Sequence, residues 1–371
     1  MKTNVVPIGI LTLPLGRNVG GVLQAYALNK VLSDMGFRVE TIDNQSEYHD
    51  YSPLIRLYNL FATFKQRRFI KRYIKQSRKQ IRNSTDFDNL PNTYHTLIVG
   101  SDQVWRLDYT QKYFKYYFLN FNSTTHVRKI AYAASTGIGK EEWLSNIHKS
   151  DISNIDNYLR ECLKDFDAIS VREKAGADIC NWLGCNSIYQ TVDPTMLVDK
   201  KEYAAIFKIP QTNSHSHLVT YILDSDPDKQ KIITHHASLN NLKIKSINSK
   251  QRFKDLISLR DFNVSHYQFP DIEKWLSDMY NADFIITDSF HGAVFAIIFN
   301  KDFIVISNSS RGKARFDSLL ETFGLANRII TDFKDYQSRH WEHIDYSQVN
   351  HIISIEKQKA LEFLRNALHT T

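Results

Sequence analysis

Apolar and polar positions alternate along this chain as strand, polar turn and helix, again and again. Pro7 to Leu13 reads as a short strand, and the turn Gly16-Arg17-Asn18-Val19-Gly20-Gly21 opens a helix from about Val22 to Met35. Gly36 stands where a helix C-cap is expected, and Arg38 to Ile42 is the next strand, completing a βαβ unit. Further strands are predicted at Thr96–Val99, Lys129–Ser135, Ala168–Val171 and Ile188–Val192, with helices at Ile152–Phe166 and from Arg172-Glu173-Lys174 to about Gly184. After Asp193-Pro194-Thr195 the pattern restarts. Tyr203–Gln211 and the polar Thr212–His215 read as a connection, followed by strands at Leu218–Leu223, Leu242–Ile247, Phe284–Thr287 and Phe303–Ile306. Helices are predicted at Pro227–Ser238, Asp271–Tyr280, Ala293–Phe299 and Gln348–Leu368. The expected fold is α/β, with two doubly wound Rossmann-like domains facing a cleft: residues 1–200, then 201–345, with 346–371 as a helix packing back across them. A basic helical insertion is expected at about 54–90.

The turn Asp288-Ser289-Phe290-His291-Gly292 is the candidate centre of chemistry. It lies between a strand end and a helix start, where free N–H groups and the helix dipole favour an anion. His291 is the side chain suited to moving a proton near neutral pH. A structural reading stays open beside this one, with Ser289 or Asp288 as a helix cap and His291 as a satisfied core histidine. Gly20-Gly21 lets a ligand approach the backbone, although the spacing is neither G-x-G-x-x-G nor a Walker loop. Gly100-Ser101-Asp102-Gln103-Val104-Trp105 puts a carboxylate, an amide and an indole at a strand end, a mix that suits sugars. Arg172 stands where a strand becomes a helix, placed to hold a carboxylate or phosphate through its fork of donors.

Composition narrows the class. At 371 residues, two domains are the natural expectation, and 42% hydrophobic content fills two cores. Lys65 to Arg82 holds nine Lys or Arg and no acid, and removing those nine from the net charge of +7 leaves −2 for the rest. The basicity is local, which argues against a nucleic-acid partner. Phe69, Ile70, Tyr73, Ile74 and Ile81 sit in that segment at roughly helical spacing. It reads first as a solvated helix face and second as a peripheral contact with an anionic membrane surface. Three unpaired cysteines and an opening without signal-peptide anatomy make the cytoplasm the expected location, with the inner membrane face as its peripheral variant. No metal constellation shows, since His235 and His236 are adjacent on a helix and cannot face one ion together.

Several segments carry a resemblance in their order: N-V-G-G-V-L-Q-A-Y-A-L (18–28), V-G-S-D-Q-V-W (99–105), Y-A-A-S-T-G (132–137), S-V-R-E-K (170–174), V-D-P-T (192–195), N-A-D-F-I-I-T-D-S-F-H-G-A-V-F (281–295) and R-G-K-A-R (311–315). Together they resemble the polysaccharide pyruvyl transferase family. The resemblance implies a GT-B-like fold and transfer of the pyruvyl unit of phosphoenolpyruvate onto two sugar hydroxyls as a ketal. Phosphoenolpyruvate is the co-substrate, and no cofactor is expected. The family's histidine falls on His291 and its S-R arginine on Arg172. Where family members often read Arg-Leu-His, this chain reads Ser289-Phe290-His291, and Arg311 or Arg315 is the expected replacement. The implied roles are acid/base work for His291 with Asp288 or Asp102 as partner, and donor binding by Arg172, Ser289, Gly292, Arg311 and Arg315. Asn18, Gly20, Gly21, Gln24, Ser101, Gln103 and Trp105 are expected on the acceptor side. The partner is an oligosaccharide or a lipid-linked glycan. A nucleotide-sugar glycosyltransferase and a non-catalytic carbohydrate-binding protein are the alternatives.

Overall fold

A computed structural model of the chain describes residues 7–48, 51–149, 154–210, 216–248, 267–307 and 312–369. The first sheet has seven strands in the order β3-β2-β1-β4-β5-β6-β7, and the second has five in the order β12-β11-β10-β8-β9. The strands are β1 (Ile8–Leu11), β2 (Val39–Asn44), β3 (Gln76–Ile81), β4 (Thr96–Val99), β5 (Arg128–Ala134), β6 (Ala168–Val171) and β7 (Ile188–Gln190), then β8 (His217–Tyr221), β9 (Lys243–Ser246), β10 (Phe284–Thr287), β11 (Asp302–Ile306) and β12 (Ile329–Ile330). All neighbouring pairs are parallel. The runs IGIL, TLIV and FIIT of β1, β4 and β10 are buried throughout, as a strand covered by helices on both faces must be. Each sheet has one switch point where strand order reverses, between β1 and β4 and between β8 and β10. Ligands gather at such places.

Three sequence expectations change. The basic segment is not one helix: a helix runs Phe64–Tyr73, and residues 76–81 then pair with β2 as the polar edge strand β3. An edge accepts such polar residues because one side of its ladder faces water. The expected connection at 203–211 begins inside a helix, Lys200–Ile206, because Tyr203 is fully buried against Phe295 and Phe299. The helix after β10 starts at Phe290 rather than Ala293, with the Ser289 hydroxyl capping it. His291 therefore belongs to the first helical turn.

An apolar core joins the two lobes. Tyr26 from the Val19–Asp34 helix meets Phe69, Tyr73 and Phe207. The last helix, Tyr346–His369, begins against the second sheet's connections, where the Tyr346 hydroxyl meets Lys301 O. Farther along, its Phe363 packs on Tyr132 and Tyr189 of the first sheet. Among the described residues, no helix is long and apolar enough to cross a membrane.

Candidate functional site

Both switch points open onto one cavity of about 510 Å³. The loop after β1 supplies Thr12 to Leu15 with Arg17 and Asn18, and the loop after β4 supplies Asp102 and Gln103. Leu223, Asp288, Ser289, Phe290 and His291 come from the second lobe, with Arg315 from the helix Lys313–Thr322. Tyr51, Tyr109 and Tyr113 add aromatic surface, and Arg17 and Lys112 add positive charge.

Behind this wall lies a buried charge cluster centred on Asp193. Its Oδ2 accepts from Arg172 Nη1 at 2.7 Å and lies 3.4 Å from His291 Nε2. Its Oδ1 accepts from the N–H and hydroxyl of Thr195, at 3.0 and 2.8 Å. Burial alone would raise the Asp193 carboxyl, but the charges of His291 and Arg172 with the Thr195 N–H outweigh it and hold the carboxyl well below its usual range. Arg172 answers the same balance: burial disfavours its charge, and Asp193, Glu173 and Asp102 more than restore it. The Arg172 guanidinium lies over one side of Phe290 at 4.1 Å, and that of Arg315 lies 5.4 Å from the same ring. Burial first, and Arg172 second, push Arg315 down to about 10, still cationic at neutral pH.

His291 reaches this cluster across the gap between the lobes because Gly20 has no side chain. A Cβ there would stand 2.1 Å from His291 Nδ1. Asp102 adopts a left-handed backbone, φ 68°, in which its carbonyl accepts from Val104 and Ser135 N–H groups. Its Oδ1 lies 3.8 Å from Arg172 Nη2. Such a conformation costs energy and is held by its surroundings.

The expected site residues divide into three groups. His291, Asp102, Asp288, Ser289, Arg315, Asn18, Gly21, Gln24 and Gln103 line the cavity. Gly20, Arg172, Gly292, Ser101 and Trp105 do not. Arg311 lies outside the described residues. The carboxylate facing His291 is Asp193, not Asp288 or Asp102. Asp288 instead accepts from the N–H groups of Leu223 and Asp224, at 2.6 and 3.1 Å, and from Lys229 Nζ at 3.0 Å. Trp105 is 2% exposed, stacked on Phe118, with its indole N–H given to Tyr117 O, so it offers no platform to a sugar. Gln24 uses both ends of its amide to join Thr12 to Ser101 N–H, and the Ser101 hydroxyl donates to Ala133 O. The Gly292 N–H is directed to Ser289 Oγ. Among the described residues, no group of three or more His, Cys, Asp or Glu could hold a metal ion.

The sequence profile of polysaccharide pyruvyl transferases matches residues 18–310. The chain belongs to that family. Its members' profile spans every loop that builds the cavity from Asn18 to His291. No curated protein sequence matches the chain. Solved structures share its two-lobed GT-B fold. UDP-GlcNAc 2-epimerase from Neisseria meningitidis bound to UDP-GlcNAc superposes with a TM-score of 0.54 at 9% identity, over 98% of this chain and 99% of that one. A UDP-N-acetylglucosamine 2-epimerase described as putative, from Listeria monocytogenes, gives 0.53 at 10%, over 98% and 97%. The S. aureus MnaA–UDP structure gives 0.51 at 12%, over 98% and 97%. At these identities the likeness concerns the fold alone.

Sequence reasoning quoted Asp193 inside V-D-P-T but gave it no role, and it passed over Arg17, Tyr51, Tyr109 and Glu173. Glu173 Oε1 accepts from the N–H groups of Thr136 and Gly137, at 2.8 and 3.0 Å, and so fixes the loop after β5. The signal for Asp193 was present: a carboxylate at the end of a strand is itself a site-edge residue.

Proposed function

We propose that this member of the family transfers the pyruvyl unit of phosphoenolpyruvate onto two hydroxyls of a sugar in a polysaccharide or its precursor, forming a cyclic ketal and releasing phosphate. The observation that carries the reading is the His291–Asp193–Arg172 cluster set against a cavity whose wall includes Arg315. The chemistry requires a proton for the methylene carbon of the donor, cations for its carboxylate and phosphate, and removal of two hydroxyl protons. His291 gives the proton to the methylene, which becomes methyl, and the first hydroxyl oxygen bonds to the adjacent carbon. The second hydroxyl oxygen then bonds to that carbon as its bond to the phosphate oxygen breaks. Of the two hydroxyl protons, one replaces the proton given by His291 and the other leaves on phosphate.

Supporting these roles, His291 lines the cavity, and its Nε2 lies 3.4 Å from the Asp193 carboxylate. Arg315 lines the cavity beside Phe290, and it supplies the anion contact. Arg172 acts from behind, holding Asp193 ionised. Asn18, Gln103 and the tyrosines Tyr51, Tyr109 and Tyr113 fit the acceptor, since aromatic faces with polar neighbours suit sugar rings.

The test is phosphate release from phosphoenolpyruvate in the presence of a panel of galactose-, mannose- and N-acetylhexosamine-containing acceptors. Acceptor-dependent release is expected. Stabilisation of the fold by UDP or GDP, with none by phosphoenolpyruvate and no phosphate released, would assign the cavity to a nucleotide sugar.

A further inference from the structure

The helices Pro53–Ala62 and Phe64–Tyr73 present two unlike sides. Inward, Ala62, Phe69 and Ile70 are buried, and the rings of Phe69 and Tyr73 meet those of Tyr26 and Phe207 edge-on or tilted. Phe69, Ile70 and Tyr73, three of the helically spaced apolar residues, therefore pack inward rather than toward solvent. Outward, large apolar side chains stand in solvent: Leu54 and Leu57 are each 65% exposed, Phe64 59% and Leu60 49%. One exposed leucine needs no account, but a ridge of them marks an interaction surface.

Beside this ridge runs a groove of about 640 Å³ lined by Arg56, Arg67, Lys71 and Arg82. Asp43 is the one acid among its lining residues, and its oxygens accept from the amides of Gln45 and Gln80. Lys75 and Arg78 extend the positive surface, both exposed. Leu15 lines this groove and the catalytic cavity alike, so the two are adjacent.

We propose that this ridge and groove dock the protein on an anionic lipid surface. The leucines and Phe64 enter the boundary between headgroups and acyl chains, and the arginines and lysines meet the phosphates. The combination selects this partner. A purely electrostatic partner such as a polyanion leaves the ridge unused, while a purely apolar one leaves the cations unanswered. A second copy of the chain, meeting the first through a two-fold axis, brings the basic groove against itself. An amphipathic surface with cations flanking apolar residues matches a charged bilayer at both levels. Docking there sets the catalytic cavity beside the membrane, where an acceptor carried on a lipid would be presented.

The experiment is co-sedimentation of the full chain with vesicles. Binding is expected to phosphatidylglycerol-containing vesicles and not to pure phosphatidylcholine, and it should fall as salt is added. Arg67→Gln with Lys71→Gln should weaken it about tenfold or more. Leu57→Asp with Phe64→Asp should weaken it as well. All four positions are exposed, so each pair should melt at the temperature of the parent protein. Absence of binding to anionic vesicles, or equal binding by parent and variants, overturns the proposal. So does a dimer that Leu57→Asp with Phe64→Asp converts to monomer without any change in vesicle binding, because the ridge then belongs to a second copy. Vesicle binding involves no reaction, so its failure is separate from failure of the phosphoenolpyruvate assay.

Discussion

Asp193 is the residue on which the site's charges converge, because one carboxylate meets a guanidinium, an imidazole, a hydroxyl and an N–H. Groups that act as a unit give non-additive losses when removed. His291→Ala should lower turnover by about 10²-fold or more if the imidazole moves the proton. Asp193→Asn should give a loss of similar order, and the double variant should be only slightly worse than either single one. Steady-state phosphate release measures all three, and losses that multiply would separate the two residues. The sequence marked the segments around the cavity but not the atoms that face it. His291 was legible as a cavity residue because it follows a strand end at the start of a helix. The pairing with Asp193 was not, because a contact between residues 98 positions apart in the chain exists only after the two sheets meet. Trp105 misled for a related reason: an indole suits a sugar until its N–H finds a carbonyl, and Tyr117 O lies twelve residues ahead.

At the scale of elements, the central strands and the edges β7 and β9 were readable, and the edges β3 and β12 were not. Phe284–Thr287 and Thr96–Val99 are apolar on both faces and fall where the pattern put them. The polar strand β3 and the two-residue β12 carry no such signature. The helix Pro227–Leu239 carries a pH dependence of its own. Its His236 is buried against Phe284, with Nδ1 paired to the Tyr336 hydroxyl, and burial, then His235, pushes the imidazole from 6.5 down to about 4. The folded state refuses a proton that the unfolded chain accepts below pH 6.5, so stability is lost as pH falls from 6.5 toward 4. Between pH 7 and pH 5 this group should cost about 2 kcal/mol. Denaturant midpoints at the two pH values should show the fall, and His236→Gln should show a smaller one.

The whole molecule depends on how closely its lobes approach. Gly20 permits that approach, and a methyl group there would overlap the imidazole ring. Gly20→Ala should therefore leave each lobe folded while forcing the ring or the lobes to shift. The expected result is a loss of turnover of about tenfold or more with a far smaller change in the melting temperature, because a misplacement of about 1 Å in a site is costly. An unchanged rate would show that the ring has room to turn aside. The two-lobed plan was legible because the strand–helix pattern restarts after Asp193, whereas the close fit of the lobes was not, since nothing in a glycine pair announces what will lie against it.

The imidazole is encoded in the second lobe, and the carboxylate and glycine that receive it in the stretch up to Thr195 that builds the first. A hybrid that joins halves of two relatives would keep both folds and still lack a working centre, unless the two parents agree on this three-residue handshake. The halves can diverge freely elsewhere, but at this seam they must be inherited together.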